Sequence, residues 1–127
     1  MTDPAAEERQ TALARIPGLA LQVGLQTVGG REESLIRLVR RYQELHAQDG
    51  QKLTSDISAG RPGEAQNLAH AVKGAAGFLG LVQIQAVAAE LEAALREGAT
   101  GAPLEAILAR FDQENSRACG AIRAYLG

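Results

Sequence analysis

At 127 residues the chain has room for one hydrophobic core and not for two. Its hydrophobic fraction of 46 % contains only two Phe, two Tyr and no Trp, so the core is aliphatic and alanine-rich, which favours close-packed helices over sheets. A formal net charge of −2 excludes partners held by bulk positive charge, nucleic acid and anionic membrane among them, and the lone Cys119 excludes an internal disulfide or a cysteine metal cluster. No apolar run approaches the roughly 18 residues of a spanning segment, and nothing resembles a signal peptide. These features are expected of a cytoplasmic monomer in a reducing compartment.

In chain order, Asp3-Pro4 opens a short helix as an N-cap followed by proline, and Ile16-Pro17-Gly18 stops it. A second short helix is expected from about Leu19 to Val28, ending at Gly29-Gly30. From Arg31 the pattern predicts one long helix to about Ala59, with Leu35, Leu38, Val39, Tyr42, Leu45, Leu53 and Ile57 on its apolar side; Asp49-Gly50 is its weak point. Gly60-Arg61-Pro62-Gly63 turns the chain into a helix over about Pro62 to Leu79, closed by Gly80. A helix over about Val82 to Glu97 follows at once, antiparallel to it, with Ile84, Val87, Ala88, Leu91 and Leu95 as its stripe. The last helix, about Pro103 to Leu126, places Leu104, Leu108, Phe111, Asn115, Ala118, Ile122 and Tyr125 on one seam. The expected fold is all-α, an antiparallel four-helix bundle with one or two short extra N-terminal helices. The chain reads as a single domain, 1–127, with residues 1–18 as an N-terminal extension.

The stretch 66–80, QNLAHAVKGAAGFLG, does more than pack. Leu68, Val72, Ala75, Ala76 and Leu79 recur at steps of three and four and make an apolar stripe. His70 lies roughly 160° from Leu68 or Val72 at about 100° per residue, and Gln66, Lys73, Gly74 and Gly77 fall within about 60° of it. Glycine inside a helix costs about 1 kcal/mol relative to alanine, so two on one face need a compensating reason. One reason is the docking of another protein; the alternative is close approach by a neighbouring helix. An exposed neutral imidazole is a nucleophile near pH 7, and a lysine one turn away can meet the oxygens of a phosphoryl group on it.

AHAVKGAAGFLG resembles the signature of histidine-containing phosphotransfer (HPt) domains: a histidine, lysine and glycine three and four residues on, then small residues and a second glycine. His70, Lys73, Gly74, Gly77 and Gly80 meet it. The similarity extends to VGGREESLIRLVRRY before it and AAELEAAL after it, covering roughly residues 19–98, with 103–126 as the last bundle helix. The resemblance implies a phosphocarrier with His70 as phosphoacceptor and Lys73 stabilising the phosphoryl group. Gln66, Gly74, Gly77 and Phe78 would be docking residues. Partners would be response-regulator receiver domains or a hybrid sensor histidine kinase, with magnesium on the receiver and no cofactor or metal on this chain. No kinase or phosphatase activity is expected, since Walker and glycine-rich nucleotide motifs are missing.

Counting antiparallel register back from Gly80 brings residues 90 to 92 level with His70, and Glu92 flanks the stripe of its helix. HPt domains place a glutamine or glutamate there, which implies that Glu92 orients His70. The alternative is a solvated Glu92, or one paired with Arg96 at i+4. His46, nearly in phase with Val39 and Leu53, reads as a packing residue. Phe78 edges the docking face or tucks into the bundle, and Asn115 is either a core polar residue or a solvated bundle-end one. Two other functions stay open: a non-phosphorylated helical adaptor, and the phosphoacceptor domain of a larger hybrid or chemotaxis-type kinase. A bundle di-metal site needs Glu-x-x-His pairs, and the sequence has none.

Overall fold

A computed structural model describes residues 4–127. The helices are α1 (Pro4–Ala14), α2 (Leu21–Thr27), α3 (Glu32–His46), α4 (Asp49–Ser58), α5 (Pro62–Leu79), α6 (Val82–Arg96) and α7 (Gly101–Leu126). No other regular element occurs among the described residues apart from one isolated bridge between Leu19 and Leu81. The expected cap at Asp3 lies outside the described residues. No helix among them is long and apolar enough to cross a membrane.

Helices α5, α6 and α7 are three staves of an antiparallel bundle, and α3 with α4 forms the fourth: α5 packs on α6, α6 on α7, while α4 meets α5 and α3 meets α7. The core is mostly aliphatic, with Leu35, Val39, Leu53, Val72, Leu91 and Ile122 all buried and only two large rings among them, Phe111 and Tyr42. Small residues face the closest pair: Ala65, Ala69 and Ala76 of α5 and Ala88 of α6 are fully buried. Without long side chains between them, two helix backbones can approach to the short end of the usual 8–10 Å range.

The long helix expected over residues 31–59 is divided. Helix α3 ends at His46, Ala47 and Gln48 form a turn, and α4 starts at Asp49. The cause is a side chain on another stave: Asn115 of α7, buried, donates its amide to the His46 carbonyl at 2.8 Å and accepts from the Tyr42 hydroxyl at 2.7 Å. That carbonyl is thereby satisfied where the helix bends. Four residues on from His46, Gly50 lies so close to Asp112 that a Cβ would collide with its carboxylate, so the glycine lets α4 settle against α7. Asn115 is thus a core polar residue with both ends of its amide used.

The N-terminal helices belong to the core rather than standing outside it. Leu13, Ile16 and Leu25 are buried with the bundle residues. The link before α2 pairs with the α5–α6 turn, Ala20 N–H donating to the Gly80 carbonyl at 2.7 Å and Val82 N–H to Gly18 at 3.0 Å. Gly80 adopts φ 80° to end α5, and a Cβ there would strike the Ala20 carbonyl and the Gly24 backbone. Both the left-handed conformation and the close contact require glycine. At the far end, the seam of α7 finishes on Leu126, which is buried, instead of Tyr125, which is exposed and lies under the Arg15 guanidinium at 5.2 Å.

Candidate functional site

The buried line of α5 is Ala65, Ala69, Val72, Ala76 and Leu79, so the core-facing direction is turned away from Leu68, which is only half-buried. Relative to that line His70 points about 140° away, with Lys73, Gln66 and Gly77 at about 80° to 120° on the same shoulder and Gly74 at about 180°. This shoulder leans toward α6. His70 is open, with its side chain 70 % exposed, whereas Gln66, Lys73 and Gly77 are half-buried.

Glu92 of α6 reaches across to it. Its residue is only 4 % exposed, yet its carboxylate has three partners. His70 Nδ1 lies 3.1 Å from Oε1 and 3.2 Å from Oε2. Lys73 Nζ is 2.9 Å from Oε2, and an Arg96 nitrogen donates to Oε1 at 2.7 Å. The hydrogen bond from Lys73 holds the Glu92 carboxyl below its ordinary value against the opposing effect of burial, and His70 adds to the lowering. An ionised carboxylate accepts and cannot donate, so the hydrogen between it and His70 belongs to Nδ1. In the neutral ring the other nitrogen, Nε2, then carries the lone pair, and no protein group among the described residues bonds it.

The same antiparallel register continues toward the turn. Gly77 is half-buried beneath the Gln85 amide, and a Cβ on Gly77 would press on the flexible end of that side chain. Gly74 has nothing within 4 Å of where its Cβ would stand. The two glycines therefore differ: Gly74 opens to solvent, while Gly77 is partly covered by α6. Gln66, half-buried, sits one turn before His70.

On the other shoulder Phe78 is 57 % exposed and does not tuck into the bundle. It borders an apolar groove of about 350 Å³ with Leu38, Leu45, Gly74 and Ala75, floored by Tyr42 and His46. Leu38 and Leu45 are 36 % and 56 % exposed, so the apolar side expected of α3 is split between a core line, Leu35, Val39 and Tyr42, and an open line facing this groove. Sequence reasoning missed that line, although Leu38 and Leu45 lie some 60° to 80° off the Leu35 direction on the helical wheel. A larger hollow of about 560 Å³ between α4 and α7 shares no lining residue with the His70 cluster, and no histidine or lysine lines it.

His46 contrasts with His70. Its side chain is 18 % exposed, its Nδ1 lies 2.6 Å from Asp49 Oδ2, and its ring lies 4.8 Å from that of Tyr42, centroid to centroid. Cys119 is buried beside Asn115, and burial pushes its thiol up to about 11. Among the described residues no group of three His, Cys, Asp or Glu side chains is placed to hold a metal ion.

Residues 37–122 match the Hpt domain family, a span of well over half the chain that includes the His70 helix, Glu92 and nearly all of α7. The chain belongs to the Hpt domain family. An Hpt domain is a phosphocarrier module that takes part in histidine phosphotransfer within a phosphorelay and interacts with receiver domains. The Hpt match starts later than the resemblance read from the sequence and runs further, into the last turns of α7. Comparisons with curated proteins and with solved structures returned no match.

Proposed function

We propose that this Hpt domain carries a phosphoryl group on His70 between aspartates of response-regulator receiver domains. The observation that carries the reading is the hydrogen bond between His70 Nδ1 and the buried, ionised Glu92, made by a ring that is otherwise open to solvent. In the proposed step the lone pair of Nε2 attacks the phosphorus of a receiver aspartyl phosphate. The N–P bond forms as the P–O bond to the aspartate breaks, and the departing carboxylate keeps the electron pair. Nε2 has no proton to lose, so the ring becomes cationic while keeping its Nδ1 proton, and the Glu92 carboxylate offsets that charge. The return transfer follows the same path in reverse.

Lys73 serves the phosphoryl oxygens in this scheme. Its side chain is 34 % exposed and already beside His70, so its ammonium can leave Glu92 Oε2 for a new anion while Arg96 still neutralises the carboxylate. Gly74, with open space above it, admits the partner's backbone; Gly77, Gln66 and Phe78 border the same surface. The receiver would supply magnesium and most of the catalytic groups, and this chain would act as acceptor and donor without kinase or phosphatase activity of its own. The chemistry is the same for a free-standing cytoplasmic monomer and for an acceptor domain within a hybrid kinase.

The test is incubation with a phosphorylated receiver, followed by mass spectrometry under conditions that spare phosphohistidine. An acid-labile, alkali-stable phosphate on His70 is expected. A chain that stays unlabelled with every receiver of its source, and with the small phosphodonor phosphoramidate, is an adaptor and not a carrier.

A further inference from the structure

Helix α3 carries Arg37, Arg40 and Arg41 on its outer side, three guanidinium groups within five residues of a chain whose formal net charge is −2. All three are exposed. Arg41 meets Glu44 at 3.5 Å, but with side chains 66 % and 60 % exposed that pair is weak and readily exchanged for a partner's carboxylate. Among the described residues no carboxylate forms an ion pair with Arg37 or Arg40. Several other cations of the bundle are committed: Arg110 grips Glu90 with two nitrogens, Lys52 and Arg61 share Asp56, and Lys73 and Arg96 share Glu92. Of the α3 strip, Arg37 and Arg40 are therefore positive charge that the fold leaves unpaired, and Arg41 is held only by an exposed pair.

The strip is continuous with the apolar groove beside Gly74 and Phe78. Leu38 and Arg41 line that groove and also a second hollow of about 420 Å³ whose other walls are Arg37, Arg40 and Glu44. Outward from Gly74 the surface runs from open glycine, through exposed Leu38, Leu45 and Phe78, to a rim of guanidinium groups. An apolar centre with a charged rim is the composition of a protein–protein interface. Nucleic acid would leave the three exposed apolar side chains unused.

We propose that this face docks a receiver surface presenting an apolar ridge flanked by carboxylates, and that Arg37, Arg40 and Arg41 select that receiver by charge. The inference rests on the reading of His70 as phosphoacceptor and adds the chemistry of the partner. Guanidinium–carboxylate pairs at a rim act mainly on the rate of encounter, and a partner with a basic rim is repelled by the same groups. The α5 shoulder does the chemistry, and α3 chooses which receiver reaches it.

The experiment uses the full chain, wild type and Arg37→Glu/Arg40→Glu/Arg41→Glu, with folding checked by circular dichroism and thermal unfolding. The probes are the receiver from the same source that donates phosphate fastest to the wild type, a version of that receiver with the carboxylates around its docking ridge changed to Lys, and phosphoramidate. Transfer to the variant is expected to be at least ~10-fold slower at low salt, because steered encounter is lost. The gap should close to about 2-fold near 0.5 M NaCl, where the screening length is only about 4 Å. The Lys-bearing receiver should restore the variant, and phosphoramidate should label His70 equally in both chains. Equal transfer rates at both salt concentrations overturn the proposal, as does a loss that neither salt nor the charge-swapped receiver changes. Wild-type binding to phosphatidylserine vesicles that the variant loses, with receiver transfer untouched, would assign the strip to lipid and overturn it too. If neither phosphoramidate nor any receiver labels wild-type His70, the phosphocarrier reading itself fails and takes this one with it.

Discussion

The two histidines of this chain each give Nδ1 to a carboxylate, and the likeness ends there. Asp49 is three residues from His46 on the same stave, whereas Glu92 comes to His70 from the neighbouring helix. His46 is covered by Tyr42 and pinned at a helix break whose carbonyl is taken by Asn115. His70 stands clear of the bundle, and its carboxylate is shared with two cations. A histidine–carboxylate pair therefore orients a ring but does not decide how open that ring is. What separates the two is how open the ring is, 18 % against 70 % of the side chain, and the lysine and arginine that share the Glu92 carboxylate.

The widest separation is expected from replacing each ring. His70→Gln should take labelling from a phosphorylated receiver to background, a loss of more than ~100-fold for removal of a nucleophile. His46→Gln should stay within about 3-fold of the wild type. Radiolabel that persists in His70→Gln and maps to His46 would erase the distinction.

A side chain grown between the two sites gives the next effect. Gly74→Leu adds bulk where the structure leaves open space, so folding should be kept and helix propensity should improve by somewhat under 1 kcal/mol. Transfer from a receiver should fall by ~10-fold or more, since rejecting a clashing partner costs more than about 1.4 kcal/mol. Labelling by phosphoramidate should not change. A variant that unfolds, or one that takes phosphate from the receiver at the native rate, would place Gly74 in the interior economy of the fold instead.

The opposite dissociation belongs to the His46 end. Asn115→Ala leaves the Tyr42 hydroxyl and the His46 carbonyl without their buried partner, a cost of about 1–3 kcal/mol read as a lower denaturation midpoint. The transfer rate at 25 °C should stay within about 2-fold, because Asn115 bonds neither His70 nor Glu92 and reaches the groove only from beneath, through Tyr42 and His46, leaving the exposed Leu38, Leu45 and Phe78 in place. A large loss of transfer with little loss of stability would couple the two ends.

Much of this arrangement could be read from the chain. The limits of α5 and α6 follow from Pro62, Gly80 and the apolar period, and counting rise along two antiparallel helices put Glu92 level with His70; the side chains meet there. Pairing of Glu92 with His70 and with Arg96 had stood as alternatives, yet both occur, because a carboxylate has two oxygens and several lone pairs to offer. What stayed hidden depended on distant partners. Asp49-Gly50 marked the weak point beside which the helix divides, but the partner that satisfies the break after His46 stands 69 positions away, which no local pattern can report. Leu38 and Leu45 carry the apolar character of a core residue, and only the position of α5 shows that Phe78 and open solvent face them. The difference between Gly74 and Gly77 rests on where one flexible glutamine lies.

The backbone pairing of residues 18–20 with the α5–α6 turn has a bearing on how portable the module is. The family match starts at residue 37, but a segment cut there would lose Leu13, Ile16, Leu25 and Leu35 and leave the α5–α6 turn stripped of its cover. That turn sets the register by which Glu92 arrives opposite His70. A graft of this domain onto another protein would therefore have to carry the chain from α1 onward, with its new junction before the first helix, or His70 and Glu92 would travel without the clamp that keeps their two helices in step.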